Sequence, residues 1–250
     1  MKLVILAAGY ATRLYPLTLD RPKALLPVAG RPMLEHVVDR LAGVAELDGA
    51  YLVTNAKFAG LFRAWARGFD GPWPVEIVDD GTTDDETKLG AIGDLDLVVR
   101  SEGVEDDLVV VAGDNLFSES LEGFGRYGRE RGAPVLAVYD VGSLDEIRKY
   151  NAITLDDDGR ITFFEEKPEH PKSTLTGIAL YYYPRDVVPL IRRYVEEGNN
   201  PDQPGRLIQW LYHQTAVFTW RVPGFWYDIG SEETLREADR AFSGTDSAQS

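Results

Sequence analysis

Near its start the chain carries an apolar run, Lys2 to Leu6, with no charge after Lys2, that passes straight into Ala7-Ala8-Gly9-Tyr10-Ala11-Thr12-Arg13-Leu14. Such a β-branched run reads as a strand buried on both faces, and therefore as a member of a parallel sheet. The small residues at its exit allow the backbone to approach a ligand closely. A loop leaving a strand can turn its N–H groups toward phosphate oxygens, and Arg13 and Lys23 supply cations to neutralise them. The first 32 residues therefore point to a triphosphate-binding loop.

The pattern that follows extends this constraint. Strand-like runs at 2–6, 50–54, 75–78, 108–112 and 134–139 alternate with helical periodicity near 32–42, 58–68, 89–99, 118–130 and 143–149. That alternation predicts βαβ units, a mainly parallel sheet and helices on both of its faces. After residue 150 the pattern changes. Asn151–Leu155 and Ile161–Glu165 flank Asp-Asp-Asp-Gly, a hairpin signal, and Leu175–Tyr183 is a longer strand, so an antiparallel insertion is expected to extend the sheet. Helices are predicted at Asp186–Glu196 and Gly205–Gln214, a strand at Ala216–Val222, and a closing helix at Ser231–Phe242 with Ser231 as its N-cap. The domain is expected to span 1–243, with a nucleotide-binding half at 1–150, an acceptor half at 151–243 and a flexible tail at 244–250.

The formal net charge of −15 disfavours nucleic acid and anionic membranes as partners, since both would repel the chain. Basic charge is nevertheless concentrated where the anion should sit: residues 1–35 carry Lys2, Arg13, Arg21, Lys23 and Arg31 against Asp20 and Glu35. With no cysteine and three scattered histidines, neither a disulfide nor a thiolate metal site is available. No secretory pattern or long apolar segment is present, so a cytoplasmic location is expected.

Three further segments carry chemistry. Val109–Gly113 is an apolar run ending in Asp114-Asn115, which puts a carboxylate at the C-terminal lip of a central strand, where ligands of open α/β sheets bind. Trp226-Tyr227-Asp228 ends a strand just before the Ser231 cap. Each aspartate alone reads equally as a turn or capping residue. Together they suffice for Mg²⁺, which takes one or two carboxylates plus phosphate oxygens and water. Glu165-Glu166-Lys167-Pro168 closes the hairpin, Pro168 ending its ladder pairing, and by itself reads as a solvated strand end. The aromatic run Tyr181–Tyr183 reads as core, and the histidines take no role.

The blocks LAAGYATRLYPLT (6–18), RPKALLPVAGRPML (21–34), VVAGDN (110–115), ITFFEEKPEHPKS (161–173) and WYDIGS (226–231) resemble, in order and over nearly the whole chain, the sugar-phosphate nucleotidyltransferases. The resemblance implies a Rossmann-like three-layer α/β/α fold with a mixed, mainly parallel central sheet. It also implies transfer of a nucleoside monophosphate from a nucleoside triphosphate to a sugar 1-phosphate, giving an NDP-sugar and pyrophosphate, with Mg²⁺ as cofactor. Carried over by position, Leu6, Ala7, Ala8, Gly9, Thr12, Gly81, Gly90 and Asp114 would contact the nucleotide. Arg13 would grip the departing phosphates and Lys23 the α-phosphate. Asp114 and Asp228 would hold the metal. Lys167 would meet the sugar phosphate, with Asn151, Glu166, Gly177 and Trp226 around the sugar.

The chain also departs from that pattern. Ala11 stands where the loop usually has another glycine, so this loop is expected to avoid the left-handed conformation an alanine resists. Asn151 replaces a common glycine and is expected to bring an amide into the pocket. Residues 79–94 lack the glutamine that commonly reads the base, which leaves the nucleobase open among uracil, thymine, guanine, cytosine and adenine. Alternatives left open are a cytidylyltransferase acting on a phosphorylated alcohol such as phosphocholine, a silent nucleotide or sugar-nucleotide sensor, and a glycosyltransferase of related fold. Homo-oligomerisation is also open.

Overall fold

The computed structural model describes residues 1–245. The strands are β1 (Lys2–Leu6), β2 (Pro27–Val28), β3 (Arg31–Pro32), β4 (Ala50–Thr54), β5 (Val75–Asp79), β6 (Leu108–Ala112), β7 (Asn115–Phe117), β8 (Val135–Asp140), β9 (Asn151–Leu155), β10 (Ile161–Glu166), β11 (Leu175–Tyr183), β12 (Phe218–Arg221) and β13 (Trp226–Asp228). The helices are α1 (Met33–Leu41), α2 (Ala56–Gly68), α3 (Ala91–Ser101), α4 (Glu122–Arg131), α5 (Leu144–Ile147), α6 (Val188–Glu196), α7 (Pro204–Leu211) and α8 (Glu232–Thr245).

A seven-stranded sheet has the order β12-β8-β11-β6-β1-β4-β5. β1 pairs in parallel with both β4 and β6, β4 with β5, and β8 with β12, while β11 runs antiparallel to β6 and β8. Six strands thus end at the same edge. The chain leaves β1 for β4 on one side and reaches β6 on the other, so a crevice opens beyond the ends of β1 and β6.

The uninterrupted apolar strands have their cause in burial on both faces. Leu3, Ile5, Val109 and Val111 pack with Met33, Val37 and Phe124 from α1 and α4, whereas Val4, Val53 and Val110 pack with Ile92, Leu95 and Ile191 from α3 and α6. All of these are almost fully buried. Helices on both faces of a mainly parallel sheet give the three-layer architecture expected from the alternating pattern.

The predicted antiparallel insertion divides in two. β11 enters the main sheet between β6 and β8 and buries Tyr181, Tyr182 and Tyr183. The hairpin β9–β10 does not extend that sheet. It forms a two-stranded sheet of its own, and its solvent face carries Thr154, Thr162 and the half-exposed Phe163. A further small ladder pairs β13 with β7, setting Asp228 opposite Asn115.

Ser231 caps α8, its Oγ accepting the Thr234 N–H at 3.2 Å. α8 continues to Thr245, and the remainder of the expected tail, residues 246–250, lies outside the described residues. No helix among the described residues is long and apolar enough to cross a membrane.

Candidate active site

A cavity of about 490 Å³ lies at the sheet edge, where the loops after β1, β6 and β13 meet the start of α3. Its size falls within the range of about 300–1,000 Å³ usual for small-molecule sites.

The loop after β1 is held by its carbonyls. Thr54 Oγ1 donates to Ala7 O at 3.3 Å, Asn55 Nδ2 to Ala8 O at 2.8 Å and Thr18 Oγ1 to Ala11 O at 2.8 Å. The N–H groups of Ala8 through Arg13, by contrast, donate to nothing among the described residues. A run of unengaged donors beside a cavity forms an anion-binding concavity.

Ala11 overturns one expectation. It adopts the left-handed conformation, φ 48° and ψ 44°. The cost for a non-glycine residue is about 1–2 kcal/mol. Two hydrogen bonds onto the Ala11 carbonyl, from Thr18 Oγ1 and from the Leu14 N–H at 3.0 Å, hold it there. Tyr10, beside it, is buried with its hydroxyl 3.2 Å from Thr82 Oγ1.

Charge gathers at one end of the cavity. Lys23 Nζ donates to Asp114 Oδ2 at 2.5 Å, and Asn115 Nδ2 donates to Asp114 Oδ1 at 3.0 Å. Burial alone would raise the Asp114 pKa, but attraction to Lys23 and these hydrogen bonds hold it below the usual carboxylate value. Asp228 behaves oppositely: burial and then repulsion by Asp114 raise it, against the pull of Lys23 and Arg13. Arg13 is exposed and makes no hydrogen bond or ion pair among the described residues. Two cations and two carboxylates thus share one cavity wall.

Leu6, Ala8, Gly9, Thr12, Gly90, Arg13, Lys23, Asp114 and Asp228 line the cavity. Ala7 lines a smaller one of about 170 Å³, which shares Gly9, Lys23 and Asp114 with the first. A side chain at Gly90 is impossible without movement: φ is +81°, and a Cβ would lie 2.7 Å from both Pro201 O and Asp202 Cα. At Gly9 a Cβ would meet nothing within 4 Å, so packing within the protein does not demand glycine there.

The remaining predicted residues do not line this cavity. Gly81 (φ +77°) turns the chain after β5, its N–H on Asp79 Oδ1. Asn151 does not offer its amide to the pocket. Its Oδ1 accepts from the Gly177 N–H at 2.7 Å and its Nδ2 donates to Gly177 O at 3.0 Å, so both groups are spent on β11. Gly177 is itself fixed by packing, since a Cβ would lie 2.5 Å from Leu136. Glu166 is half-buried with Oε2 unpartnered, and burial raises its pKa in spite of Lys167 and Arg206. Lys167 is exposed at φ 50°, its N–H on Tyr150 O at 2.7 Å.

Trp226 connects back to the charged end. Its Nε1 donates to Asn115 Oδ1 at 2.6 Å, and Asn115 in turn donates to Asp114. Its ring meets Tyr150 edge-on at 5.5 Å, and burial together with Asp228 pushes the Tyr150 hydroxyl up to about 12. Asn115, which had no role in the sequence reading, joins Trp226 to Asp114. The Asp-Asn pair at the end of β6 was the available signal for it.

No group of three or more His, Cys, Asp or Glu able to hold a metal occurs among the described residues. Asp114 and Asp228 fit a hard divalent cation that takes its other ligands from phosphate and water. Their mutual repulsion is the observation that favours a cation there.

The family profile for Nucleotidyl transferase matches residues 2–243. The chain is 27% identical over 245 residues to the bifunctional protein GlmU of Methanocaldococcus jannaschii, covering 96% of this chain and 54% of that protein, so it spans about half of that relative's length. It is 26% identical to the UTP–glucose-1-phosphate uridylyltransferase AglF of Haloferax volcanii over 96% of each protein. The crystal structure of a UDP-glucose pyrophosphorylase complexed with UDP-glucose superposes with a TM-score of 0.81 at 21% identity, covering 98% of each chain, and shares the fold.

Proposed function

The chain belongs to the nucleotidyl transferase family, and on that premise we propose that it transfers a nucleoside monophosphate from a nucleoside triphosphate to a sugar 1-phosphate. The products are an NDP-sugar and pyrophosphate. One observation carries this reading: Arg13, Lys23, Asp114 and Asp228 meet in a single cavity beside a loop of unengaged N–H donors. The name of the Haloferax volcanii relative, a UTP–glucose-1-phosphate uridylyltransferase, supports it.

A phosphate oxygen of the acceptor attacks the α-phosphorus. The bond from that phosphorus to the bridging oxygen breaks, and pyrophosphate leaves with the electron pair. The second pKa of a phosphate monoester is about 6, so the nucleophile is already ionised at neutral pH and no general base is required. What remains is alignment and neutralisation of charge. The loop N–H groups and Arg13 bind the departing phosphates, and Lys23 stands at the α-phosphate. Lys167 holds the acceptor phosphate and Glu166 the sugar hydroxyls. Asp114 and Asp228 would hold Mg²⁺, which supplies further positive charge to the phosphate oxygens. Residues 1–150 then form the nucleotide half and 151–243 the acceptor half, in a cytoplasmic enzyme.

The test is pyrophosphate release from nucleoside triphosphates mixed with a panel of sugar 1-phosphates, with Mg²⁺ and with chelator. Metal-dependent release that requires the sugar phosphate supports the proposal. Absence of release from every pair overturns it.

A further inference from the structure

α7 buries Leu207, Ile208 and Leu211 and turns a second stripe outward. Arg206, Gln209, Trp210 and His213 recur at intervals of three, one and three residues, so they share one face of the helix and of the turn that follows it. With Tyr194 of α6 and with Asn199 and Asn200 of the connection between the two helices, they line a cavity of about 330 Å³. It shares no lining residue with the active-site cavity. Its wall is fixed: Tyr194 Oη donates to Asn200 O at 2.8 Å, and Asn199 Nδ2 to Tyr194 O at 3.0 Å. The donors of the stripe are mostly unspent. Arg206 gives its Nε to Gln203 Oε1 at 3.2 Å. Its terminal nitrogens, the Gln209 amide, Trp210 Nε1 and the His213 ring nitrogens make no hydrogen bond or ion pair among the described residues. Exposed arginines on α6 and α8 behave differently: Arg192, Arg193 and Arg236 each hold a glutamate four residues away, at 2.7, 2.8 and 3.0 Å. In a chain of net charge −15, no carboxylate among the described residues lines this groove. Glu166 feels the Arg206 charge but lies outside it.

We propose that the groove on α7 is a second ligand site, separate from the active-site cavity, and that it takes a small phosphorylated polyol. A guanidinium without a carboxylate partner is a strong phosphate donor, so Arg206 takes the phosphate. Gln209, Trp210 and His213 continue the stripe with an amide, an indole N–H and an imidazole, which suit hydroxyl oxygens. Arg206 and His213 lie two turns apart, about 10 Å along the axis. A bare phosphate at Arg206 therefore leaves the other donors unused, whereas an ester engages both ends. The volume falls within the range of about 300–1,000 Å³ usual for small-molecule sites.

Glucose 6-phosphate is the probe, because its phosphate is not in the position a sugar 1-phosphate presents. The ring signals of His213 are followed by NMR at constant ionic strength while the probe is added, with His213→Gln to assign them among the three histidines. Inorganic phosphate and glucose are titrated in parallel. The expected result is a saturable shift with a Kd of about 1 mM or below, about tenfold or more tighter than for inorganic phosphate, and no shift with glucose. Arg206→Gln should weaken binding of the probe by about tenfold or more. Arg13→Ala, at the other cavity, should leave that Kd unchanged. Gln209→Ala is the second variant should Arg206→Gln fail to fold, and it should weaken the probe while sparing inorganic phosphate. Three results overturn the inference: no saturable shift with the probe, equal affinity for inorganic phosphate, or a Kd that responds to Arg13→Ala and not to changes on α7.

Discussion

Lys23 and Asp114, 91 residues apart in sequence, form an ion pair of 2.5 Å in which Asp114 also accepts from Asn115. The contact links the first loop of the sheet to the end of β6 and places a cation and a carboxylate on the same cavity wall. Replacing Asp114 by Asn removes a charge that the proposed chemistry needs while leaving a side chain of equal size. Turnover measured by pyrophosphate release at saturating Mg²⁺ is expected to fall by hundreds-fold, on the order of 3–4 kcal/mol. Turnover near the wild-type value would remove Asp114 from the machinery.

Arg13 is exposed and makes no hydrogen bond or ion pair among the described residues, so the fold does not depend on it. Arg13→Ala should therefore unfold at the wild-type temperature, yet lose about a hundredfold or more in turnover. A paired thermal melt and rate measurement separates the two effects. A large drop in melting temperature would show that the guanidinium serves stability.

The two cavity glycines should respond differently. Gly9→Ala meets nothing within 4 Å and is expected to leave the melting temperature unchanged while raising the KM for the triphosphate, because the added methyl enters the space the ligand occupies. Gly90→Ala combines positive φ with backbone overlap at 2.7 Å and should lose more than about 1 kcal/mol of stability in a denaturant titration. Equal melting curves for the two variants would contradict this.

Lys167 and Glu166 are assigned to the acceptor. Lys167→Ala should raise the KM for the sugar 1-phosphate by about tenfold or more, with little change in the KM for the triphosphate. A change confined to the triphosphate would place Lys167 elsewhere.

Asp94 gives a pH dependence of stability with a definite sign. Its folded pKa of about 8 lies above the ordinary 3.8, through burial and the Asp80 charge. Between those values the folded chain holds a proton that the unfolded chain has released, so stability contributed at this site is full below about pH 4 and declines as pH rises toward 8. Asp94→Asn removes the decline. Its unfolding free energy, from denaturant titrations across pH, should match the wild type in acid and exceed it increasingly toward pH 8, by on the order of 1 kcal/mol or more. A gap that stays constant with pH would contradict the raised pKa of Asp94.

How much of this was legible in the sequence depended on how local its cause was. β1, β4 and β6 were readable because strands buried on both faces must be apolar throughout, and the Ser231 cap because its partner lies three residues away. The left-handed Ala11 was not, because what holds it is Thr18, seven residues on. The position of the hairpin could not be read either: β9 and β10 pair locally whether or not they join the main sheet, and that choice rests on contacts across the fold. At the site, Arg13, Lys23, Asp114 and Asp228 were legible as charged residues beside strand ends. Asp94, which lines the same cavity, was not, since an aspartate in an acidic stretch shows its burial only when α3 is packed against the sheet.

The most direct test of the account follows the acceptor's oxygen atoms. A sugar 1-phosphate labelled with ¹⁸O throughout its phosphate is incubated with the enzyme, Mg²⁺ and the preferred triphosphate, and the products are weighed by mass spectrometry. Attack by the acceptor phosphate on the α-phosphorus predicts that all of the label is retained in the sugar nucleotide, with unlabelled pyrophosphate formed one for one. Label in pyrophosphate or in free phosphate, or pyrophosphate formed without a sugar nucleotide, would contradict it.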